Sequence, residues 1–333
     1  VAAVAPGGRR SRRRFLKTLR RDIAYFAILG PLLTLIERGP GFLVRALLCV
    51  IEPLAHLGTR RLSETHLQKV YGDALSANDR RQLARSVTRN FVQGIGEISR
   101  ALREGPANVP TWVACEDAIR KLEQLASELP RGFLAVTGHI GNWEVAGSVV
   151  AQHFRPGLAA VIGRRHPNAR LNARIERLRA RLGMPTYYRD ESPTIPVRAL
   201  RRGQCVAIVP DQDIKNIAGM FVDFLGHRAY TPVGPARLAL AADAPMVCIF
   251  LTRRPDGELS LHVGDPIFPD TRAPRAAEIE RLTLAWSHEL EAQIRATPEQ
   301  WVWFHQRWKS TPESLAARGR GALVLPSQGG GEA

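Results

Sequence analysis

Cysteine is sparse and unpaired. The 333 residues hold four, Cys49, Cys115, Cys205 and Cys248, with no CxxC pair. That argues against a disulfide framework, and three of the four sit in apolar runs, as reduced core thiols of a cytosol-facing protein do. Acid is in deficit too: 31 Asp and Glu face 47 Lys and Arg, for a formal net charge of +16 and a pI near 10.8. Such an imbalance implies a polyanionic neighbour: nucleic acid, anionic lipid, or an acidic substrate or carrier. No uninterrupted apolar run reaches the roughly 20 residues of a spanning helix. There is no GxSxG elbow, no P-loop and no HExxH; His288-Glu289 comes nearest, but Ala292 stands where the second histidine belongs. No internal repeat is present. What remains is a chain of ordinary apolar content, 45%, long enough for one large domain or two ordinary ones.

The N-terminus is its most uneven part. Eight Arg or Lys lie between Arg9 and Arg21, with no acid before Asp22. Fourteen uncharged residues follow, Ile23 to Ile36, interrupted by Pro31; a second apolar piece, Phe42 to Leu57, contains Arg45 and Glu52. No small-residue cleavage site ends the first run, which speaks against a secretory signal. The pattern predicts a helix or helical hairpin lying in a membrane interface, with basic residues facing anionic headgroups. A buried helix pair behind a solvated basic leader is the alternative. Residues 1–58 are therefore read as a basic leader and membrane-associated helices, 59–312 as a catalytic domain, and 313–333, rich in Pro, Gly, Ala and Arg, as a disordered tail.

Leu83, Val87, Phe91, Ile95, Ile98 and Leu102 recur every three or four residues and predict a helix from Ser76 to about Leu102. A second helix fits Cys115 to Leu129. From Phe133 onward short apolar runs alternate with helical ones, which predicts an α/β domain with a mixed, mostly parallel sheet flanked by helices. Asp256-Gly257 marks a hairpin near one edge. A last helix spans about Ala276 to Ala296. Trp301, Trp303 and Trp308 read as core.

One stretch stands apart: Val136-Thr-Gly-His139-Ile-Gly-Asn142-Trp-Glu144, at the end of an apolar run. About one histidine with an acid five residues on is expected by chance from nine histidines and 31 acids, and His139 is the only one that has it. The meaning lies in the setting. Residues five apart on one helix point about 140° from each other. His139 and Glu144 can meet only if the histidine sits in a strand-to-helix turn and the glutamate in the first helical turn. Gly138 and Gly141 permit a tight turn, Asn142 is a good N-cap, and Glu144 suits the helix dipole. Ligands bind beyond the carboxyl ends of such strands. A neutral imidazole there can take a proton from a hydroxyl, and a carboxylate on its other nitrogen fixes the tautomer. Taken alone, the stretch reads first as a capping acid beside a satisfied histidine.

HIGNWE resembles the H-x4-D/E block of the late lipid A acyltransferases, within the wider glycerolipid and lysophospholipid acyltransferases. Further blocks follow in the same order. Val161-Ile-Gly-Arg164-Arg-His-Pro-Asn168, with Arg174, Arg177 and Arg179 after it, is similar to an arginine and asparagine ahead of a basic helix. Ile208-Val-Pro-Asp211-Gln-Asp213 resembles a DQD block. Phe221-Val-Asp-Phe224-Leu-Gly226 and Tyr230-Thr231-Pro232-Val-Gly-Pro235 resemble FxPFFG…TPxGP, with Asp223 where a proline is common. Pro245-Met-Val and Pro298 to Lys309 complete a likeness covering roughly residues 60 to 312.

The resemblance implies transfer of a fatty acyl chain from an acyl carrier protein or coenzyme A thioester to a lipid hydroxyl. His139 is then the general base and Glu144 its partner, with no cofactor or metal. Arg164 is a candidate for a phosphate or pantetheine group or for the tetrahedral oxyanion, and Arg177 for a phosphate. Asp211 and Asp213, after an apolar strand, are candidates to pair with Arg164 or to supplement Glu144. Phe224, Gly226 and Thr231 are expected to shape the lipid pocket, and Asn142 counts among the substrate-side residues. The expected partners are the acyl thioester, an anionic lipid acceptor and the cytoplasmic face of the inner membrane, held peripherally or monotopically. Rival readings are the same chemistry on a mannosylated inositol lipid or ornithine lipid, hydrolysis, and a basic nucleic-acid-binding module. The last lacks aromatics interleaved with basic residues on a sheet.

Overall fold

A computed structural model describes residues 29–214 and 216–317; the Arg9–Arg21 cluster and the sequence after 317 lie outside them. In chain order the elements are α1 (Gly30–Arg38), α2 (Gly41–Tyr71), α3 (Ala77–Glu104), β1 (Val113–Ala114), α4 (Glu116–Glu128), β2 (Leu134–Val136), α5 (Trp143–His153), β3 (Ala159–Gly163), α6 (Ala169–Arg181), β4 (Thr186–Tyr188), α7 (Thr194–Arg201), β5 (Cys205–Ile208), β6 (Gly219–Phe224), β7 (His227–Pro232), α8 (Gly234–Ala242), β8 (Met246–Arg253), β9 (Leu259–Val263), α9 (Arg275–Ala296) and α10 (Pro312–Ala316).

Seven strands form one sheet in the order β1-β9-β8-β2-β5-β3-β4. The five from β8 to β4 are mutually parallel, and β9 turns back antiparallel to β8 through the Asp256-Gly257 turn. The two-residue β1 covers the outer side of β9. Alternation along the strands feeds two cores. Leu134 and Val136 of β2 join Met246, Cys248 and Phe250 of β8 on one face, under α7, α8 and α9. Ala135, Val247, Ile249 and Leu251 join the other, under α4 and α5. Each such aliphatic side chain contributes about 1.5–3 kcal/mol by leaving water. Strands buried on both sides read as continuous apolar runs, which is why the sequence shows them so. Cys115, Cys205 and Cys248 are buried and Cys49 is exposed.

Helix α3 runs as its periodicity predicts, with the Ser76 side chain accepting from Asp79 N at its start. Helix α2 packs Val44 and Leu48 against Val92 of α3, with Ile51 and Ala55 beside them. Its opposite side leaves Phe42, Val50, Leu54 and Leu57 62–72% exposed. It is the one described helix long and apolar enough to cross a membrane by length and composition. Pro53 lies inside it, and it continues to Tyr71, so the division expected between residues 58 and 59 falls mid-helix. At the other end, 313–316 belong to α10, whose Leu315 is buried with Phe221 and Tyr230. The expected tail therefore begins in folded structure, because one apolar residue after a Thr311 capping box is enough to dock it.

Candidate active site

The His139 turn is fixed from three directions. Thr137 N donates to Ile208 O of β5 at 3.1 Å, Asn142 N to Leu251 O of β8 at 2.8 Å, and Gly141 N to Gln300 O at 3.0 Å. Val302 N returns a bond to His139 O at 2.9 Å. Gly141 has φ +57°, and a Cβ there lies 1.8 Å from Leu251 O, so no other residue fits without moving β8. Asn142 caps α5 as expected, accepting from Val145 N at 3.2 Å. Its amide nitrogen donates to Gly94 O and Glu97 Oε2. With 4% exposure and these partners, Asn142 anchors the turn to α3.

The carboxylate on the imidazole belongs to Asp211. His139 Nδ1 lies 2.6 Å from Asp211 Oδ1, and Asp211 Oδ2 accepts from His139 N at 2.7 Å and Trp301 Nε1 at 3.0 Å. β2 and β5 are adjacent and in register, Val136 against Ile208, so residues three beyond each strand end meet. Glu144, the expected partner, is taken up instead by Arg179, whose Nε reaches both carboxylate oxygens at 3.1 Å and whose Nη2 reaches Oε1 at 2.6 Å. Burial pushes the His139 imidazole down, but the Asp211 charge and hydrogen bond, with Glu144 adding, outweigh it and hold it above the ordinary histidine value. Burial pushes Asp211 up, and His139 overrides that to hold it well below the usual carboxylate range.

Two rings line the imidazole. Trp143 meets it edge-on at 4.9 Å between centroids, and His305 at 5.9 Å. His305 itself packs on Trp301 at 4.9 Å. Burial pushes His305 down to about 4, so it stays neutral beside a charged dyad. The Gln212 amide lies 3.5 Å from His139 Nε2, too far for a strong hydrogen bond, and leaves that nitrogen open to a reacting group. The ring is 23% exposed, while Asp211 is fully buried.

The other candidates separate. Asp213 accepts from Ser310 N and Oγ, both at 2.6 Å, and pins the C-terminal segment. Phe224 lies under the Arg307 guanidinium at 4.5 Å. Thr231 Oγ1 accepts from Arg307 Nη2 at 2.7 Å, and Arg307 Nη1 donates to Tyr230 O. Arg307 is fully buried; burial brings it down to about 10, against the pull of Asp211 and Asp213. Gly226 takes φ +77° in the exposed turn between β6 and β7. Arg164 and Arg177 are exposed. In the sheet order β5 stands between β2 and β3, so the strand end beside His139 carries Asp211, and Arg164 follows a strand one place further out. In α6 the arginine beside Glu144 is Arg179, not Arg177. Trp143, Gln212, Arg179, His305 and Arg307 were given no role in the sequence, and Trp301 was read as core; for two of them, Trp143 and Gln212, the signal lay in their places within the HxxxxE and DQD blocks.

A histidine held by a buried aspartate, at the carboxyl ends of central parallel strands, is an arrangement for proton transfer. Residues 13–310 match the bacterial lipid A biosynthesis acyltransferase family, and the chain belongs to it. It is similar to a lipid A biosynthesis lauroyltransferase of Escherichia coli, 32% identical over 124 residues, which cover 37% of this chain and 39% of that protein. To a phosphatidylinositol mannoside acyltransferase of Mycolicibacterium smegmatis it is 26% identical over 187 residues, 55% and 59% of the two chains. To a lipid A biosynthesis palmitoleoyltransferase of Escherichia coli it is 25% identical over 239 residues, 71% and 74%. Against the first two relatives the match thus spans 39% and 59% of their length.

Proposed function

We propose that the protein transfers a fatty acyl chain from an acyl carrier protein or coenzyme A thioester to a hydroxyl of a lipid A precursor or related glycolipid. The observation that carries this reading is the short bond from His139 Nδ1 to the buried Asp211. Asp211 keeps the Nδ1 proton, so Nε2 presents its lone pair to the acceptor hydroxyl. As that oxygen attacks the thioester carbonyl, its proton passes to Nε2. The tetrahedral intermediate collapses, the C–S bond breaks, and the thiolate takes a proton from the imidazolium or from water. Thiols have a pKa near 8.5, so the leaving group needs little acid assistance. Glu144 adds a smaller negative contribution at the imidazole, opposed by its partner Arg179.

Family membership and the activities of the relatives support acyl transfer to a glycolipid. The same chemistry on a mannosylated inositol lipid is the second reading, favoured by the match to phosphatidylinositol mannoside acyltransferases. The exposed side of α2 and the net charge of +16 support a seat on the cytoplasmic face of the inner membrane, with carrier and lipid phosphates drawn to the basic surface. The test is the mass of lipid A from a strain lacking the protein beside its parent. Loss of one acyl chain is expected; identical lipid A in both, with an altered inositol or ornithine lipid, moves the activity to the second reading.

A further inference from the structure

We infer that the Gln212 amide and the His305 ring N–H together form the oxyanion hole of the His139 centre, two uncharged donors that hold the carbonyl oxygen of the acyl thioester as it becomes negative. The inference rests on the acyl-transfer reading for the identity of that oxygen, and its test separates the two.

The position of Gln212 follows from its neighbours. Asp211 is held by its bonds to His139 and Trp301, and Asp213 by Ser310 N and Oγ, so the chain on both sides of Gln212 is pinned. The Gln212 amide lies 3.5 Å from His139 Nε2, the nitrogen that meets the attacking hydroxyl, and among the described residues it makes no other hydrogen bond. Asp211 keeps the ring proton at Nδ1, so Nε2 is an acceptor and the amide turns its NH2 toward it. That donor is therefore aimed at the place where the hydroxyl adds to the carbonyl.

His305 reaches the same centre from the C-terminal segment. Its ring centre is 5.9 Å from that of His139 and 4.9 Å from that of Trp301. Phe304 before it packs edge-on to Phe91 at 5.3 Å, and Arg307 after it donates to Tyr230 O and Thr231 Oγ1, which fixes the ring between them. Both ring nitrogens of His305 are buried, and neither has a hydrogen-bond partner among the described residues. A buried N–H without an acceptor is costly, and an acceptor carried in by the substrate relieves that cost. Burial pushes the ring down to about 4, so it is neutral, keeps one N–H, and is a poorer base than His139.

The reaction supplies the acceptor. When the hydroxyl oxygen bonds to the thioester carbon, its proton passes to His139 Nε2 and the C=O electron pair moves onto the carbonyl oxygen. When the intermediate collapses, the pair returns and the C–S bond breaks. Allowing about 3 Å for the bond to Nε2 and one carbon–oxygen unit beyond it, the oxyanion lies roughly 4–6 Å from the His139 ring centre, the range in which both donors stand. The other donors nearby are engaged: Arg179 by Glu144, Arg307 by Tyr230 and Thr231, and Trp301 Nε1 by Asp211. Fixed neutral donors stabilise a developing charge without first reorganising.

The test measures binding of two analogues of the acyl donor by calorimetry. One is a long-chain alkyl phosphonate, tetrahedral with anionic oxygens; the other is a thioether with a methylene in place of the carbonyl. Gln212→Met removes the amide at similar size, His305→Phe keeps a ring without a donor, and His305→Gln returns an N–H. The expected result is that Gln212→Met and His305→Phe, each folded to the wild-type thermal midpoint, bind the phosphonate about 10- to 100-fold more weakly and the thioether within about twofold of wild type. In turnover each lowers kcat about 10²- to 10³-fold with KM little changed, and His305→Gln recovers part of the loss. A packing role alone weakens both analogues alike. The inference is overturned if either folded variant binds the phosphonate as tightly as wild type, or loses the two analogues equally. Should both residues hold the phosphonate while wild type transfers no acyl chain, the hole stands and the acyl-transfer reading falls.

Discussion

Replacing Asp211 by asparagine changes one oxygen to nitrogen and should disable the histidine without unfolding the protein. Asp211 receives three donors: His139 Nδ1–H on Oδ1, and His139 N–H and Trp301 Nε1–H on Oδ2. An asparagine has one carbonyl oxygen. It is expected in the Oδ2 position, where it keeps two of the three bonds. The amide NH2 then faces His139 Nδ1 and can only donate. The imidazole must shift its proton to Nε2, the nitrogen that has to accept the proton of the attacking hydroxyl. Loss of general-base catalysis is worth about 10² to 10⁴ in rate, and a wrong tautomer with preserved geometry lies at the upper end. We expect kcat to fall about 10³- to 10⁴-fold with the thermal midpoint shifted by only a few degrees. The remaining activity should also move on the pH axis. With Asp211 charged, kcat/KM rises with pH through an inflection above the ordinary histidine value near 6.5, because the proton must leave before the base can act. Without that charge, burial dominates and the inflection moves down. Steady-state assays from pH 5 to 9 read both effects. If Asp211→Asn turns over near the wild-type rate while Glu144→Gln collapses, the dyad is His139 with Glu144, and the assignment to Asp211 is wrong.

Glu144→Gln should cost less activity than Asp211→Asn but more stability, because it leaves the mostly buried Arg179 without a charged partner; a loss of about 1–3 kcal/mol in urea unfolding is expected. Gly141→Ala places a methyl against Leu251 O at a positive φ and should cost about 2–4 kcal/mol and most of the activity, read by thermal unfolding and turnover. Leu54→Glu/Leu57→Glu alters only exposed positions of α2, so stability should stay within about 0.5 kcal/mol while binding to anionic vesicles falls in a flotation assay; unchanged flotation would move the membrane contact off this face.

Local rules carried much of the fold. The period of α3, the Ser76 cap, the Asn142 cap and the Asp256-Gly257 hairpin are set by residues near one another in the chain, and all can be read from the sequence. Strand order is not local. Glu144 and Asp211 both follow apolar strands, and nothing in the sequence says that β5 inserts between β2 and β3. The acid five residues away was therefore as eligible as the acid 72 residues away. Helix α6 is a different case. Its apolar positions, Leu171, Ile175 and Leu178, are only partly buried, yet they recur at helical spacing and put Arg179 on the flank of that stripe and Arg177 on the far side, a signal in the sequence that the assignment to Arg177 did not use. The charge network of Arg307, Asp213 and Ser310 joins segments far apart in sequence and leaves no periodic trace.

The central claim is that His139 moves the proton in an acyl transfer to a glycolipid hydroxyl. The most direct measurement incubates the purified protein with an acyl carrier protein thioester and a lipid A precursor and follows the acceptor by mass spectrometry, for wild type and for His139→Ala. The account predicts that wild type adds one acyl chain to the precursor and that His139→Ala, folded to the same thermal midpoint, adds it at least about 10²-fold more slowly. Equal product from both proteins contradicts it.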